Sequence, residues 1–506
     1  MDLETLLSFK WGLMAPEFTI VITATLLSLM DLFMDNKKSR NILGWIGIAG
    51  IVIALIFLTG QIGQEPADIL FGTYIFDPFA VVFKYIFLVG TAFVFLLAMN
   101  YNPEDKIRHR GEFFYLFMTA LLGAMFMASS ADLITLFIGL ELLSISSYIL
   151  AGMRKDNLQS NESAMKYVIN GSISTAFILF GFSYIYGITG TTNIFEIGMR
   201  TANLASGDLL NLAALAFIIS FVGLSFKIAV VPYQMWAPDV YQGAPTPVTA
   251  FLSVVSKTAG FVIIIRLFLT AFHSTPGLNA DDYNLLWSVK PLLGVIAVLT
   301  MIVGNTIALR QKNIKRLFAY SSIAHAGYLL IPFLSLSPLW LEGIWFYLVA
   351  YLLMNLGVFA ILQIVTVKMG SDDISSFSGL YKRAPIAAVM MAIFLLSLAG
   401  IPGTAGFIGK LNIFIGALGP ITAMGPFPGH IVLVSIMMAT TVISYFYYFG
   451  VMKQMFMVAP VDENGPAQIK LPSGVMVVVA LCVIGTILFG IAPNIALDFF
   501  YSVMGM

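Results

Sequence analysis

The chain has 506 residues, of which 59% are hydrophobic and 10% charged, with 26 basic residues balanced by 26 acidic ones. Soluble domains carry about 25% charged residues, so this composition excludes an ordinary water-soluble fold, and zero net charge gives no footprint for nucleic acid. The single cysteine, Cys482, lies in an apolar run and excludes an intrachain disulfide or a cysteine metal cluster.

The N-terminal stretch MDLETLLSFKW lacks a basic region followed by a short apolar core, so no cleaved signal peptide is expected. A membrane-spanning helix needs about 20 apolar residues. On that measure spans are expected at 15–34, 41–60, 79–99, 112–129, 131–152, 163–189, 208–231, 246–272, 285–309, 316–335, 341–367, 384–419, 430–452 and 472–492. The expected fold is an all-α polytopic membrane protein of about 14 transmembrane helices.

Loop charges test this plan. With the N-terminus outside, the inner loops hold Lys37, Lys38, Arg40, Lys106, Arg108, Arg110, Arg154, Lys155, Arg310, Lys312, Lys315, Arg316, Lys368, Lys382, Arg383, Lys453 and Lys470, or 17 of the 26 basic residues. The outer segments hold Lys10, Arg200 and Lys290. This asymmetry obeys the positive-inside rule and places both termini on the outer face.

A charge inside a spanning helix is costly and usually functional. Glu141 lies ten residues into its span, about 15 Å deep, and Lys257 reaches a similar depth. Lys227 precedes a turn-rich connection containing Pro232, Pro238, Pro245 and Pro247. Lys410 follows a second break, SLAGIPGTAGFIGK, with Gly400, Pro402, Gly403 and Gly406. Broken helices persist at membrane depth where they line a polar cavity. The breaks adjoin or interrupt the seventh and twelfth spans, a spacing that predicts two five-helix repeats of opposite orientation. Burial disfavours the ammonium form of a lysine and a nearby carboxylate restores it, so Lys227 with Glu141 as partner can take up and release a proton. No nucleotide, haem or metal motif accompanies these residues, and Gly400–Gly406 does not match a phosphate loop.

The segments WAPDVYQGAPTPVTAFLSVVSKTAGF, NIKRLFAYSSIAHAGY and SLAGIPGTAGFIGK resemble the antiporter-like membrane subunits of respiratory complex I, and within them the subunit N type of bacterial NADH:quinone oxidoreductase. The resemblance is strong over 112–420, and the fourteen-span plan extends it to the whole chain. It implies two inverted five-helix repeats, two discontinuous helices and proton translocation driven by electron transfer from NADH to quinone on other subunits. The divisions are 1–111, 112–272 (first repeat), 285–456 (second repeat) and 457–506. By position, the family's fifth-helix glutamate matches Glu141. Its seventh-, eighth- and twelfth-helix lysines match Lys227, Lys257 and Lys410, and His325 matches a histidine on its central polar axis. Lys257 would be the relay and Lys410 the terminal site. NAD, FMN, iron–sulfur clusters and quinone would sit on partner subunits, with no redox centre on this chain. The partners implied are other complex I membrane subunits, including further antiporter-like ones, in a bacterial inner membrane. Lys410 separates the chain from the M type, expected to carry glutamate there, and the end at Met506 separates it from the L type, with its long lateral helix. Tyr233-Gln234 replaces an aromatic–His pair, and Gly403 replaces a common proline.

Structural roles compete with these assignments. Glu141 and the three lysines could be interior ion pairs, and His325 a core histidine. Lys84, Lys166 and Arg266 are expected to snorkel toward an interface, and Glu162 to pair with Lys166 one helical turn on. A multi-subunit cation–proton antiporter and a non-pumping packing subunit remain the alternative functions.

Overall fold

The computed structural model describes residues 7–35, 38–103, 107, 109–204, 207–279, 282–418, 428–460 and 468–505. Of the inner-loop charges, Lys37, Lys106 and Arg108 lie outside the described residues. The first spans are α1 (Ala15–Phe33), α2 (Asn41–Gly60), α3 (Pro78–Met99), α4 (Arg110–Ser129), α5 (Leu133–Ala151) and α6 (Leu158–Thr189). A short α7 (Ile194–Thr201) leads to α8 (Asp208–Ile228), α9 (Trp236–Gly243) and α10 (Thr246–Ala271). Then come α11 (Leu285–Ala308), α12 (Ile314–Ser335), α13 (Trp340–Met369), α14 (Pro385–Ala399), α15 (Ala405–Leu418), α16 (Pro428–Met457), α17 (Ser473–Ile491) and α18 (Asn494–Met504). Among the described residues thirteen helices are long and apolar enough to cross a membrane, and α14 and α15 are shorter apolar helices that lie within the expected twelfth span.

Asparagine and aspartate start many of these helices by accepting from orphan backbone N–H groups. Asp77 caps α3, Asp132 α5, Asn157 α6, Asn284 α11 and Asn313 α12. Glycine lets helices touch backbone to backbone. A Cβ on Gly123 would stand 2.5 Å from the Leu143 nitrogen, so α4 and α5 cross in direct contact. Gly304 does the same between α11 and α12, where an added Cβ would stand 2.6 Å from the Ala324 nitrogen. The centre of the bundle is α10, α12 and α13, whose residues are nearly all buried.

The first break is more structured than a connection. α8 ends at Ala229, which adopts a left-handed backbone (φ 57°) unusual for a residue with a Cβ. The helix α9 then continues down the same neighbour, α6. Ser174 of α6 donates to the Gly223 carbonyl of α8, whereas farther along Tyr167 stacks on Trp236 of α9 with centroids 4.6 Å apart. Thus α8 and α9 share one 32-residue partner as two halves of an interrupted helix. The second break separates α14 from α15 at Gly400–Thr404.

Three sequence expectations change. Lys84 does not snorkel: it is fully buried, 2.5 Å from Glu17, and donates to the Tyr74 hydroxyl at 3.0 Å. Arg266 is buried too, forked onto Asp77 and the Ala128 carbonyl. Each finds an acidic partner remote in sequence, which sequence spacing does not reveal. Lys166 does lie partly exposed, pairing with Glu162 at 2.6 Å as expected, and also with Asp239 of α9 at 2.6 Å. Lys290, counted with the outer charges though inside the expected span 285–309, sits buried in the second turn of α11 against Trp287. After the last span the chain forms α18, whose Phe499 packs edge-on to Tyr85, with Tyr501 donating to Glu342. A two-stranded hairpin, β1 (Ala67–Ile69) and β2 (Tyr74–Phe76), is the small exception to an all-helical chain.

Candidate functional site

Glu141 and Ser144 lie one turn apart on α5. Thr175 of α6 donates to the Glu141 carboxylate at 2.7 Å. Lys227, in the last turn of α8, donates to the Ser144 hydroxyl at 3.0 Å, and that hydroxyl donates to the Leu140 carbonyl. The sequence pointed to Glu141 as the switching partner of Lys227. Instead Ser144 holds the ammonium, and Glu141 acts on it as a nearby charge. Glu141 is half-buried on a helix face whose other members, Ile134, Ile138, Ile145 and Ile149, are exposed.

Lys257 stands at the middle of α10, directly after a π-helical turn, Leu252–Ser256. Such turns widen a helix locally and recur at functional sites. Its ammonium donates to the Ser322 carbonyl at 2.6 Å and to the Ser322 hydroxyl, which also meets Tyr241 at 3.3 Å. The helix of Lys257 packs on that of Lys227 at Gly260, where a Cβ would come within 3.2 Å of the Lys227 side chain. The π turn and Ser322 are features of the candidate site that hydropathy did not reveal, though Ser321-Ser322 lies within a quoted motif.

His325 follows Ser322 by one turn of α12. Its Nδ1 lies 2.6 Å from the Tyr347 hydroxyl and its Nε2 3.3 Å from that of Tyr448. Tyr448 meets Ser321 at 2.5 Å, so hydroxyls connect the histidine back toward the lysine's serine pair. Lys257 and Lys410 are the charges that bear on His325. Lys410, in the second turn of α15, reaches back across the break to the Leu398 and Ala399 carbonyls at 2.9 and 3.1 Å. It thereby caps the C-terminus of α14, where the helix dipole favours a cation. Gly400, at φ 82°, makes room for it: a Cβ there would stand 2.9 Å from its Cδ.

Of the five sequence-predicted residues, Lys227, Lys257, His325 and Lys410 are buried in the bundle interior, and Glu141 lies half-buried at its edge. Lys227 meets Ser144, one turn from Glu141 on α5; Lys257 meets Ser322, and His325 and Lys410 lie beyond it, among Tyr328, Tyr347 and Tyr448. Among the described residues, each of the three lysines donates to neutral oxygens. An ammonium held this way can lose its proton without stranding a buried carboxylate. No group of three or more potential metal ligands occurs among the described residues.

The family profile described as NADH:quinone oxidoreductase/Mrp antiporter, TM matches residues 130–444. A NADH-quinone oxidoreductase subunit N from Geobacillus sp. (strain WCH70) is 57% identical over 499 residues, covering 99% of this chain and all of the relative. In the structure of respiratory complex I from Thermus thermophilus with bound aureothin, one chain is 29% identical, with a TM-score of 0.76 over 96% of this chain and 98% of the other. A chain of the Mrp complex from Dietzia sp. DQ12-45-1b shares the fold, at 18% identity and TM-score 0.81, over 98% of this chain and 97% of that one.

Proposed function

The chain belongs to the NADH:quinone oxidoreductase/Mrp antiporter membrane family, as a relative of its subunit N members, and on that premise we propose that it carries protons across the membrane as a subunit of NADH:quinone oxidoreductase. Electron transfer from NADH to quinone takes place on other subunits, which hold the FMN and iron–sulfur clusters, and drives the transfer. One observation supports this reading most: Lys227, Lys257 and Lys410 are each buried on neutral oxygens along one bundle interior, with Glu141 beside the first and His325 between the last two. In the proposed sequence Lys227 exchanges its proton under the influence of Glu141, Lys257 relays, and Lys410 is the terminal site. Serine and tyrosine hydroxyls orient the donors.

The order of elements supports an inverted pair of repeats, 112–272 and 285–456, between a leading unit 1–111 and a closing one 457–506. Each repeat opens on a glycine-tight helix pair, α4–α5 and α11–α12, then has a helix of 30 residues or more, then a broken helix. The loop charges support placing both termini on the periplasmic side of a bacterial inner membrane.

The test is NADH-driven proton uptake by vesicles carrying the intact complex. Lys227→Ala and Lys410→Ala should each lower pumping by about 10²-fold while assembly survives. Wild-type pumping in Lys227→Ala would overturn the reading, and sodium-dependent exchange without NADH would replace it with that of an antiporter.

A further inference from the structure

Where α11 begins, α12 ends and α16 begins, the bundle holds a cavity of about 370 Å³, the size of a small-ligand pocket. Its two walls differ in kind. One is apolar and includes Leu286, Leu293 and Phe333. The other carries Lys290 of α11, Ser337 just past α12 and His430 of α16. No carboxylate occurs among the described lining residues. The polar wall is buried: Lys290 is 7% exposed and His430 1%. The Lys290 ammonium lies over the Trp287 ring, 4.5 Å from its centroid, and its charge is felt at His430. Leu336 closes α12 with a left-handed backbone (φ 46°), which turns the chain so that Ser337 lines the cavity. Ser337 is itself more than nine-tenths buried, and its hydroxyl has no hydrogen-bond partner among the described residues. Leaving a buried hydroxyl unmet is costly, so the partner belongs to whatever fills the cavity.

The depth of the cavity says what that is. The 24 residues of α11 span about 36 Å, against a hydrocarbon core of about 30 Å, so its first residues stand outside the core. Lys290 is the sixth residue, and helical side chains lean toward the helix N-terminus. Its ammonium therefore lies near the level where lipid phosphates meet acyl chains. Trp287 and the exposed Tyr283 also line the cavity, and tryptophan and tyrosine favour that level. A basic wall with an unmet hydroxyl selects an anion with several acceptor oxygens, and the facing apolar wall selects hydrocarbon attached to it. A free phosphate ion would satisfy the first wall and leave the second against water.

We propose that the cavity is a binding site for an anionic phospholipid of this leaflet, the outer one in the orientation given above. Its phosphate accepts from Lys290, His430 and the Ser337 hydroxyl, and the start of one acyl chain lies on the wall formed by Leu286, Leu293 and Phe333. The lipid joins the ends of α11, α12 and α16. This role is separate from proton transfer and goes beyond the function proposed above.

The test places the intact complex in phosphatidylcholine vesicles with a trace of phosphatidylglycerol that carries a diazirine near the start of one acyl chain. After illumination, adducts are mapped by mass on peptides of this chain. Adducts are expected within 286–293 and 333–338, removed by excess unlabelled phosphatidylglycerol and kept in excess phosphatidylcholine or inorganic phosphate. Lys290→Gln should lower them about tenfold, and Lys290→Arg should keep them. Ser337→Phe fills the cavity without removing a charge and should abolish them, while adducts at the exposed Leu309, at the far end of α11, stay unchanged. Equal adducts in wild type and Ser337→Phe, or equal removal by phosphatidylcholine, mean ordinary surrounding lipid and overturn the site. Removal by inorganic phosphate makes the ligand the free ion and overturns the lipid. No adduct at either peptide in wild type means that another subunit covers the cavity, and overturns it as well. If Lys290→Gln fails to assemble, Ser337→Phe and the competition experiments still decide.

Discussion

The same bilayer-buried ammonium occurs in two settings. In the leading three-helix unit, Lys84 meets Glu17 at 2.5 Å and both are sealed from solvent. Along the central interior, Lys227, Lys257 and Lys410 donate to serine hydroxyls and backbone carbonyls, with no carboxylate in hydrogen-bond contact among the described residues. In the first setting the proton cannot leave without stranding an unpaired carboxylate, so the charge is fixed and ties α3 to α1. In the second, the neutral amine still satisfies its oxygens, so charge can come and go. Burial alone does not separate the two settings; the charge of the lysine's partner does.

The largest effect expected from breaking this contrast is on assembly. Lys84→Ala leaves Glu17 buried alone, a loss of about 3–5 kcal/mol. The variant complex should lose this subunit in detergent, measured by native electrophoresis. Lys84→Met combined with Glu17→Gln should recover most of it. Next comes an exchange that arginine alone can report, because its guanidinium does not give up its proton. Lys257→Arg should assemble yet lose about 10²-fold in NADH-driven pumping. If Lys257→Arg pumps normally, the central lysines are ties like Lys84.

A smaller effect belongs to the hydroxyl between Ser321 and His325. Tyr448→Phe keeps the ring packing and removes only that link, at about 1 kcal/mol of stability. It should slow pumping severalfold in the same vesicle assay, while Ser321→Thr stays near wild type. The smallest is at the rim. Lys166 bridges Glu162 and Asp239 in a half-exposed network that also holds Arg316. Lys166→Gln should shift thermal stability by under about 1 kcal/mol, and less still in high salt.

The crossings were legible because a run of about 20 apolar residues states its own length. Both breaks were legible because Pro232, Gly400 and Pro402 state where a helix cannot continue, and the lysines beside them stood out as costly. What was hidden depends on partners far along the chain. Nothing at Lys84 announces Glu17, sixty-seven residues earlier, so a tie read as a snorkelling side chain. Nothing around Glu141 announces that Ser144, not the carboxylate, receives Lys227. The π turn before Lys257 leaves no trace in hydropathy, because Leu252–Ser256 suits an α-helix equally well. The helix α9 was concealed by the same prolines that revealed the break.

The lone ammonium at the middle of α10 has an electrical consequence. A charge carried through the whole bilayer is worth about 2.3 kcal/mol per 100 mV, so one held halfway feels about half of that. About 1 kcal/mol changes the ratio of charged to neutral amine roughly fivefold. Lys84 with Glu17 has no net charge and is indifferent to voltage. Lys257 is not: on the role proposed for it, the membrane potential presses back on its occupancy, and the site registers the gradient as well as feeding it.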